Sequence, residues 1–159
     1  MIFVTVGTNE ARFDRLLRAM ESLSVDEEVV VQHGPSDVRP AGSACVDYLE
    51  FDDMVEYVDR SRVVVTHAGV GSILLALSRG RRPVVVPRLR RFGEAVDDHQ
   101  VPLARRLGDL GLVTVVEDPE RGLREAVARD GANARAEARA TRLADDLRRR
   151  LALLIEGAG

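Results

Sequence analysis

Arg62-Val63-Val64-Val65-Thr66-His67-Ala68-Gly69-Val70-Gly71-Ser72 is the stretch that decides the fold. Its run of β-branched residues is too short for a buried helix and reads as a strand buried on both faces, followed through glycines by a helical pattern. Pro83-Val84-Val85-Val86-Pro87 repeats the arrangement a little further on. Working outward, the pattern predicts strands over 2–6, 28–32, 44–48, 62–66, 83–86 and 112–116. Between and after them it predicts helices over about 12–23, 53–61, 71–79, 98–110 and 119–129. Strands alternating with helices imply right-handed βαβ crossovers, so the expected fold class is α/β, a doubly wound, Rossmann-like parallel sheet.

The 159 residues, 45% of them hydrophobic, suit one domain over 1–159 with a sizeable core. A net charge of −3 argues against a nucleic-acid partner, which usually needs a basic face. All 23 basic residues are Arg. That reads chiefly as a compositional bias, although the guanidinium also suits carboxylate and phosphate recognition. Cys45 stands alone and cannot form an internal disulfide, which fits a reducing, cytoplasmic setting. The start, Met1-Ile2-Phe3-Val4-Thr5-Val6, is too short for a signal-peptide core, and no apolar run approaches the ~20 residues of a membrane span. Membrane contact is expected to be peripheral or through a partner.

In open parallel sheets ligands bind beyond the carboxyl ends of the strands, where helix N-termini offer unpaired N–H groups and a positive dipole end. The chain puts several polar and glycine-rich loops there. Gly7-Thr8-Asn9 has one glycine where a dinucleotide fingerprint needs three, which disfavours NAD and FAD; a P-loop is excluded because there is no Lys. Taken alone, Gly7-Thr8-Asn9 is a strand-to-helix turn with Thr8 or Asn9 as a cap. The glycines of His67-Ala68-Gly69-Val70-Gly71-Ser72 permit either close strand–helix packing or the approach of a phosphate to the backbone, with the Ser72 hydroxyl adding a contact. Asp98-His99-Gln100 opens a helix. Asp97 or Asp98 is a plausible N-cap, but capping does not account for the adjacent His and Gln, both able to hydrogen-bond a ligand. His33, His67 and His99 are far apart in sequence, so no metal-ligand spacing is present.

Phe3-Val4-Thr5-Val6-Gly7-Thr8, Phe13-Asp14-Arg15-Leu16, His67–Ser72, Gly80-Arg81-Arg82-Pro83, Pro87-Arg88 and Asp98-His99-Gln100 together resemble the glycosyltransferase family 28 C-terminal domain. Within it the chain is similar to stand-alone subunits of the Alg13 type. The run Ser72–Leu77, with Pro87-Arg88 and Gly93-Glu94, is closer to the PssE/EpsE-like exopolysaccharide subunits. The resemblance implies the donor-binding half of a GT-B glycosyltransferase: an inverting, UDP-sugar-dependent hexosyltransferase that uses no cofactor and needs no metal. It implies that Gly7, Thr8 and Asn9 approach the diphosphate or the partner cleft, that Phe51 to Met54 lie near the uracil, and that Gly69, Gly71 and Ser72 meet the diphosphate. His99 and Gln100, beside Asp98, would hold the sugar. Many relatives carry a ribose-gripping Glu where this chain has Leu75, so the ribose contact is expected to differ.

If the donor is a UDP-hexuronic acid, Arg88 could pair its carboxylate bidentately; a solvated charge run is the other reading of Arg88, Arg90 and Arg91. His67, Glu94 and His99 are candidates for the general base, which could equally belong to another chain. Because the donor half uses up these residues, the resemblance implies an Alg14/PssD-like, membrane-associated acceptor-binding subunit. That subunit would present a lipid-linked saccharide acceptor and recruit this one to the inner face of the membrane. The rival expectation is a non-catalytic nucleotide-sugar-binding accessory subunit. Ala136, Ala140, Leu143, Leu147, Leu151 and Leu154 recur at helical spacing, predicting a C-terminal amphipathic helix over about 133–156 that either packs on its own domain or reaches the partner.

Overall fold

The structure, a computed structural model, describes residues 1–23 and 25–130. The expected helix at about 133–156 lies outside the described residues. The elements run β1 (Ile2–Thr5), α1 (Asp14–Glu21), β2 (Val29–Gln32), β3 (Ala44–Val46), α2 (Phe51–Arg60), β4 (Val63–His67), α3 (Val70–Ser78), β5 (Val84–Val86), a 3₁₀ turn (Arg90–Phe92), α4 (Gln100–Asp109), β6 (Thr114–Val115) and α5 (Pro119–Asp130). All strand pairs are parallel, in the order β3-β2-β1-β4-β5-β6. The sheet is therefore the doubly wound one that the alternation predicts.

Alternation along the strands sorts the core into two faces. Ile2, Val4, Val63, Val65, Val84 and Val86 pack with Phe13 just before α1, Leu16 and Leu17 of α1, and Leu123, Ala126 and Val127 of α5. Phe3, Val30 and Val64 face the other way, onto Val58 of α2 and Ala76 of α3, with Met54, Tyr57 and Leu75 packed alongside. Val85 lies on that second face too, against Ile73 and Leu77 of α3 and Ala104 of α4. Each fully buried Val or Leu contributes roughly 1.5–3 kcal/mol of transfer free energy, so these short strands are held by burial on both faces rather than by length.

β1 is the topological pivot. The chain leaves it toward β2 on one side and, after β3, returns to pair with it through β4 on the other, with Thr5 opposite both Gln32 and Thr66. Loops after β1 and β4 thus diverge, opening a crevice at the carboxyl edge. Two helices begin two residues later than the sequence reading has them, while α2 begins two earlier and β3 and β6 are shorter. α1 begins at Asp14 rather than near 12, because the Phe13 N–H is held by Ser36 Oγ at 2.8 Å and residues 7–13 form a loop. α4 begins at Gln100 rather than Asp98, and neither Asp97 nor Asp98 caps it. Asp98 Oδ1 instead accepts the Arg90 N–H at 2.8 Å, tying the 3₁₀ turn down.

Candidate functional site

A cleft of about 430 Å³ lies in the crevice beyond β1 and β4. One wall is Gly7 and Thr8, another is His67, Gly71, Ser72 and Leu75, and the third is Tyr48, Leu49, Phe51 and Met54. Its floor is Thr5 and Gln32. Seven residues expected at a site, Gly7, Thr8, Phe51, Met54, His67, Gly71 and Ser72, therefore converge. Asn9, Gly69, Arg88, Glu94, Asp98, His99 and Gln100 do not line this cleft.

The floor is built from polar residues at strand ends. Gln32 Oε1 accepts the Thr5 hydroxyl at 2.6 Å and the Gly7 N–H at 3.2 Å, while Gln32 Nε2 donates to the Gly7 and Asp47 carbonyls. The amide thus fixes the loop after β1, with Gly7 at a φ of 77° that a side chain would strain. Sequence reasoning missed Thr5, Gln32 and Tyr48. The signal for the first two was a polar residue closing an otherwise apolar buried strand.

His67 is a wedge. A Cβ on Gly7 would stand 2.3 Å from its Cε1, and one on Gly69 would stand 2.0 Å from its Nε2. Both glycines are thereby required by the imidazole, which settles the packing reading for Gly69. Burial pushes the His67 pKa down to about 4, the Arg88 cation adds to the drop, and a hydrogen bond to the Thr5 backbone carbonyl opposes it. The ring is neutral at physiological pH.

Gly71 is different. A Cβ there would meet nothing within 4 Å. Packing gives no reason for a glycine in the first turn of α3, where it costs about 1 kcal/mol relative to Ala. The N-cap is Gly69, which makes no side-chain cap, and no acidic residue lies in the first turn; the first intrahelical bond runs from the Ile73 N–H to the Gly69 carbonyl. The N–H groups of Val70, Gly71 and Ser72 therefore precede the helical ladder at a positive dipole end, beside open space in the cleft. This is an anion-binding arrangement. At the far wall, the cleft-lining rings of Phe51 and Tyr48 are 69% and 56% exposed, which leaves aromatic surface uncovered there.

Behind β5 the expected site residues are used differently. Arg88 is fully buried. Its guanidinium donates to the carbonyls of Val6 (2.9 Å), Ala11 (2.9 Å), Arg12 (3.2 Å) and Glu94 (3.1 Å), and lies 4.6 Å from the Phe13 ring centroid. It pins the loop after β1 to the loop after β5, and the expectation that it meets a carboxylate on the ligand is corrected: both terminal nitrogens are taken by backbone carbonyls, and Nε is buried without a partner. Burial lowers its pKa to about 10, against the pull of the Glu94 carboxylate, so it stays a cation. Glu94 is likewise withdrawn from the candidate bases. Both its oxygens accept Arg15 in a bidentate pair at 2.9 Å, and Oε2 also accepts the Leu89 N–H. Gln100 is buried, with Oε1 accepting the Arg88 N–H at 3.0 Å, so its carbonyl end positions the strand exit instead of a sugar.

His99 remains at the surface, its side chain 66% exposed. Asp97 Oδ1 accepts the His99 N–H at 3.0 Å and also pairs with ring Nδ1, so that Nδ1 and not Nε2 is the ring nitrogen engaged by the carboxylate. Asn9 Oδ1 accepts the Ala11 N–H at 2.7 Å, shaping the loop rather than capping α1. Among the described residues no three His, Cys, Asp or Glu side chains could hold a metal ion together.

Comparison with known proteins follows the same lines. The profile of the glycosyltransferase family 28 C-terminal domain matches residues 1–151. UDP-N-acetylglucosamine transferase subunit ALG13 of Homo sapiens is 32% identical over 120 residues, covering 67% of this chain and 10% of that protein. The subunit of the same name from Yarrowia lipolytica is 39% identical over 56 residues, covering 35% of this chain and 26% of its own length. Among solved structures, the calicheamicin glycosyltransferase CalG4 superposes on 98% of this chain and 42% of its own, at 23% identity and a TM-score of 0.70. The chain spans about a quarter or less of these two curated relatives.

Proposed function

The chain belongs to the glycosyltransferase family 28 C-terminal domain family, and from that premise we propose that it is the donor-binding half of a two-chain, inverting glycosyltransferase. The β1/β4 cleft takes a UDP-sugar. The observation that carries this reading is Gly71, a helix glycine that no packing requires, standing at an uncapped helix N-terminus across the cleft from two exposed aromatic rings. A diphosphate fits the first place and a pyrimidine the second. The N–H groups of α3 and the Ser72 hydroxyl stabilise charge developing on the leaving diphosphate, so departure of UDP needs no metal.

The acceptor hydroxyl attacks the anomeric carbon from the side opposite UDP. Neither Glu94, held by Arg15, nor His67, wedged between two glycines, is free to take its proton. The base is therefore His99, whose Nε2 is not the nitrogen engaged by Asp97, or a group on a second chain. That second chain, an Alg14/PssD-like membrane-associated subunit, carries the lipid-linked saccharide acceptor and recruits this chain to the inner membrane face. Among the described residues no helix is long and apolar enough to cross a membrane. The pathway we assign is bacterial exopolysaccharide or capsule synthesis, on the resemblance of Ser72–Leu77, Pro87-Arg88 and Gly93-Glu94. The engaged Glu94 and Gln100 favour a second reading, a nucleotide-sugar-binding accessory subunit whose partner supplies the chemistry.

Calorimetric titration of UDP and UDP-sugars, with NAD and ATP as controls, tests the donor site. UDP and UDP-sugars should bind and NAD and ATP should not, and Gly71→Val, which fills the open space, should abolish binding while leaving the unfolding midpoint in place. No binding with or without the partner would overturn the reading. Turnover by the reconstituted pair separates the two roles: His99→Ala should slow it severely in the catalytic reading and leave it unchanged in the accessory one.

A further inference from the structure

The nucleoside end of the cleft has a chemistry of its own. Gly71 and Leu75 both line the cleft and stand four residues apart on α3, one turn or about 6 Å along the axis. With a diphosphate at Gly71 and a base at Phe51 and Tyr48, as the donor-site reading has it, the pentose between them passes over Leu75. What it meets there is apolar: Leu75, Leu49 and Met54, which pack together over the Phe3 side of the sheet. Asp52 and Asp53 of α2 are not among the described residues that line the cleft, and none of those that do carries a carboxylate. The Gln32 amide is engaged with Thr5, Gly7 and Asp47, and Thr8 and Ser72 lie toward the diphosphate end. The one remaining hydroxyl is that of Tyr48, on a ring more than half exposed at the cleft mouth.

A 2′,3′-diol is usually gripped by a carboxylate, and a hydroxyl laid on methyl groups loses water without gaining a partner. Resting on the donor-site reading above, we infer that this site does not read the 2′-hydroxyl: Leu75 is its specificity-determining residue, and it takes 2′-deoxypyrimidine nucleoside diphosphates, thymidine diphosphate among them, as readily as UDP. A methylene at C2′ then packs against Leu75 as well as a hydroxyl could.

The test is calorimetry on the full chain with UDP, dUDP and dTDP, for the wild type and for Leu75→Glu. UDP and dUDP differ only in the 2′-hydroxyl, so their ratio of dissociation constants reads this inference, whereas binding of either reads the donor site. The wild type should bind the two within about threefold, the scale of a weak or absent net hydrogen bond, and dTDP in the same range. In Leu75→Glu, a carboxylate accepting from the diol should move the ratio toward UDP by about tenfold or more, the scale of a hydrogen bond to a charged group. Leu75→Gln should shift it the same way by less, which keeps the test in force if the charge is not tolerated. A wild-type preference for UDP of tenfold or more overturns the inference while leaving the donor site standing. So does a ratio that neither substitution moves. Failure of all three nucleotides to bind, alone and with the partner, overturns the donor site and this inference together.

Discussion

The β1/β4 cleft and the hub behind β5 share one sheet edge yet use polar groups in opposite ways. In the cleft, Thr8, Gly71 and Ser72 line open space, and the N–H groups of Val70, Gly71 and Ser72 precede the first intrahelical bond of α3. In the hub, Arg88 reaches four carbonyls, and Arg15 holds Glu94 through both carboxylate oxygens while also donating to the Pro87 and Glu117 carbonyls. The hub engages its terminal guanidinium and carboxylate groups within the chain and holds the cleft in shape, since Arg88 grips the Val6 carbonyl immediately before Gly7. Rigid polar networks of this kind let a neighbouring site keep unpaired donors aimed at a ligand.

The hub should show the largest stability effect. Arg88→Met removes the guanidinium, leaves buried carbonyls without donors and leaves the Glu94–Arg15 pair intact, so about 3–5 kcal/mol of unfolding free energy should be lost, measured by urea denaturation. A loss under about 1 kcal/mol would mean that the hub is not what holds the loops, and the contrast with the cleft would collapse. Next comes Gly69→Ala, which drives a methyl into the His67 ring. We expect destabilisation of about 1–3 kcal/mol, the usual scale of overpacking, and recovery of part of it in the double variant with His67→Ala. Additive losses would show that the wedge is not the cause.

Acid titration probes the same wedge. Folded His67 stays neutral down to about pH 4, whereas in the unfolded chain it takes a proton near 6.5. Between those values the unfolded state binds more protons, so this stabilisation is fully present above about pH 6.5 and is lost as pH falls toward 4. About 3 kcal/mol should disappear over that window in urea midpoints, and His67→Gln should flatten the slope. In the cleft the sign reverses: Gly71→Ala meets no neighbour and should raise stability by up to about 1 kcal/mol while weakening nucleotide binding. A destabilised Gly71→Ala would return that glycine to an ordinary structural role.

Strand and helix positions were legible because apolar periodicity and burial are the same fact seen twice. Val63–Val65 and Val84–Val86 could hardly be anything but core, and the elements begin and end within a few residues of the sequence reading. The cleft wall was legible by two routes: the glycines of 67–72 stand at a strand end, whereas Phe51 and Met54 were placed by the family resemblance and not by any periodicity. Direction in loops was not. Arg88, Glu94 and Gln100 follow a strand with no periodicity to say whether a side chain turns inward, and all three turn inward to satisfy carbonyls and N–H groups that a long irregular connection would otherwise bury unpaired. Gly69 and Gly71 look alike in sequence, and only the position of the His67 ring separates the one that packs from the one that leaves room.

The Asp97–His99 pair belongs to neither region and gives the smallest expected effect on stability. Both side chains are exposed, and the Asp97 carboxyl is held below its ordinary pKa by the His99 backbone N–H first and the ring second, with the His99 and Arg90 charges adding. An exposed pair screened by water adds little to folding, so Asp97→Asn should leave the urea midpoint where it was. Its signature lies in the ring. With a carboxylate on Nδ1–H the imidazole keeps its proton there and offers Nε2; with an amide that preference weakens, and ¹⁵N chemical shifts of His99 should move toward a mixture of tautomers. If turnover by the reconstituted pair falls with the tautomer shift while nucleotide affinity holds, His99 acts on the acceptor side of the bound donor. A shift in tautomer with no change in turnover would confine chemistry to the other chain, leaving this sheet edge to hold the donor alone.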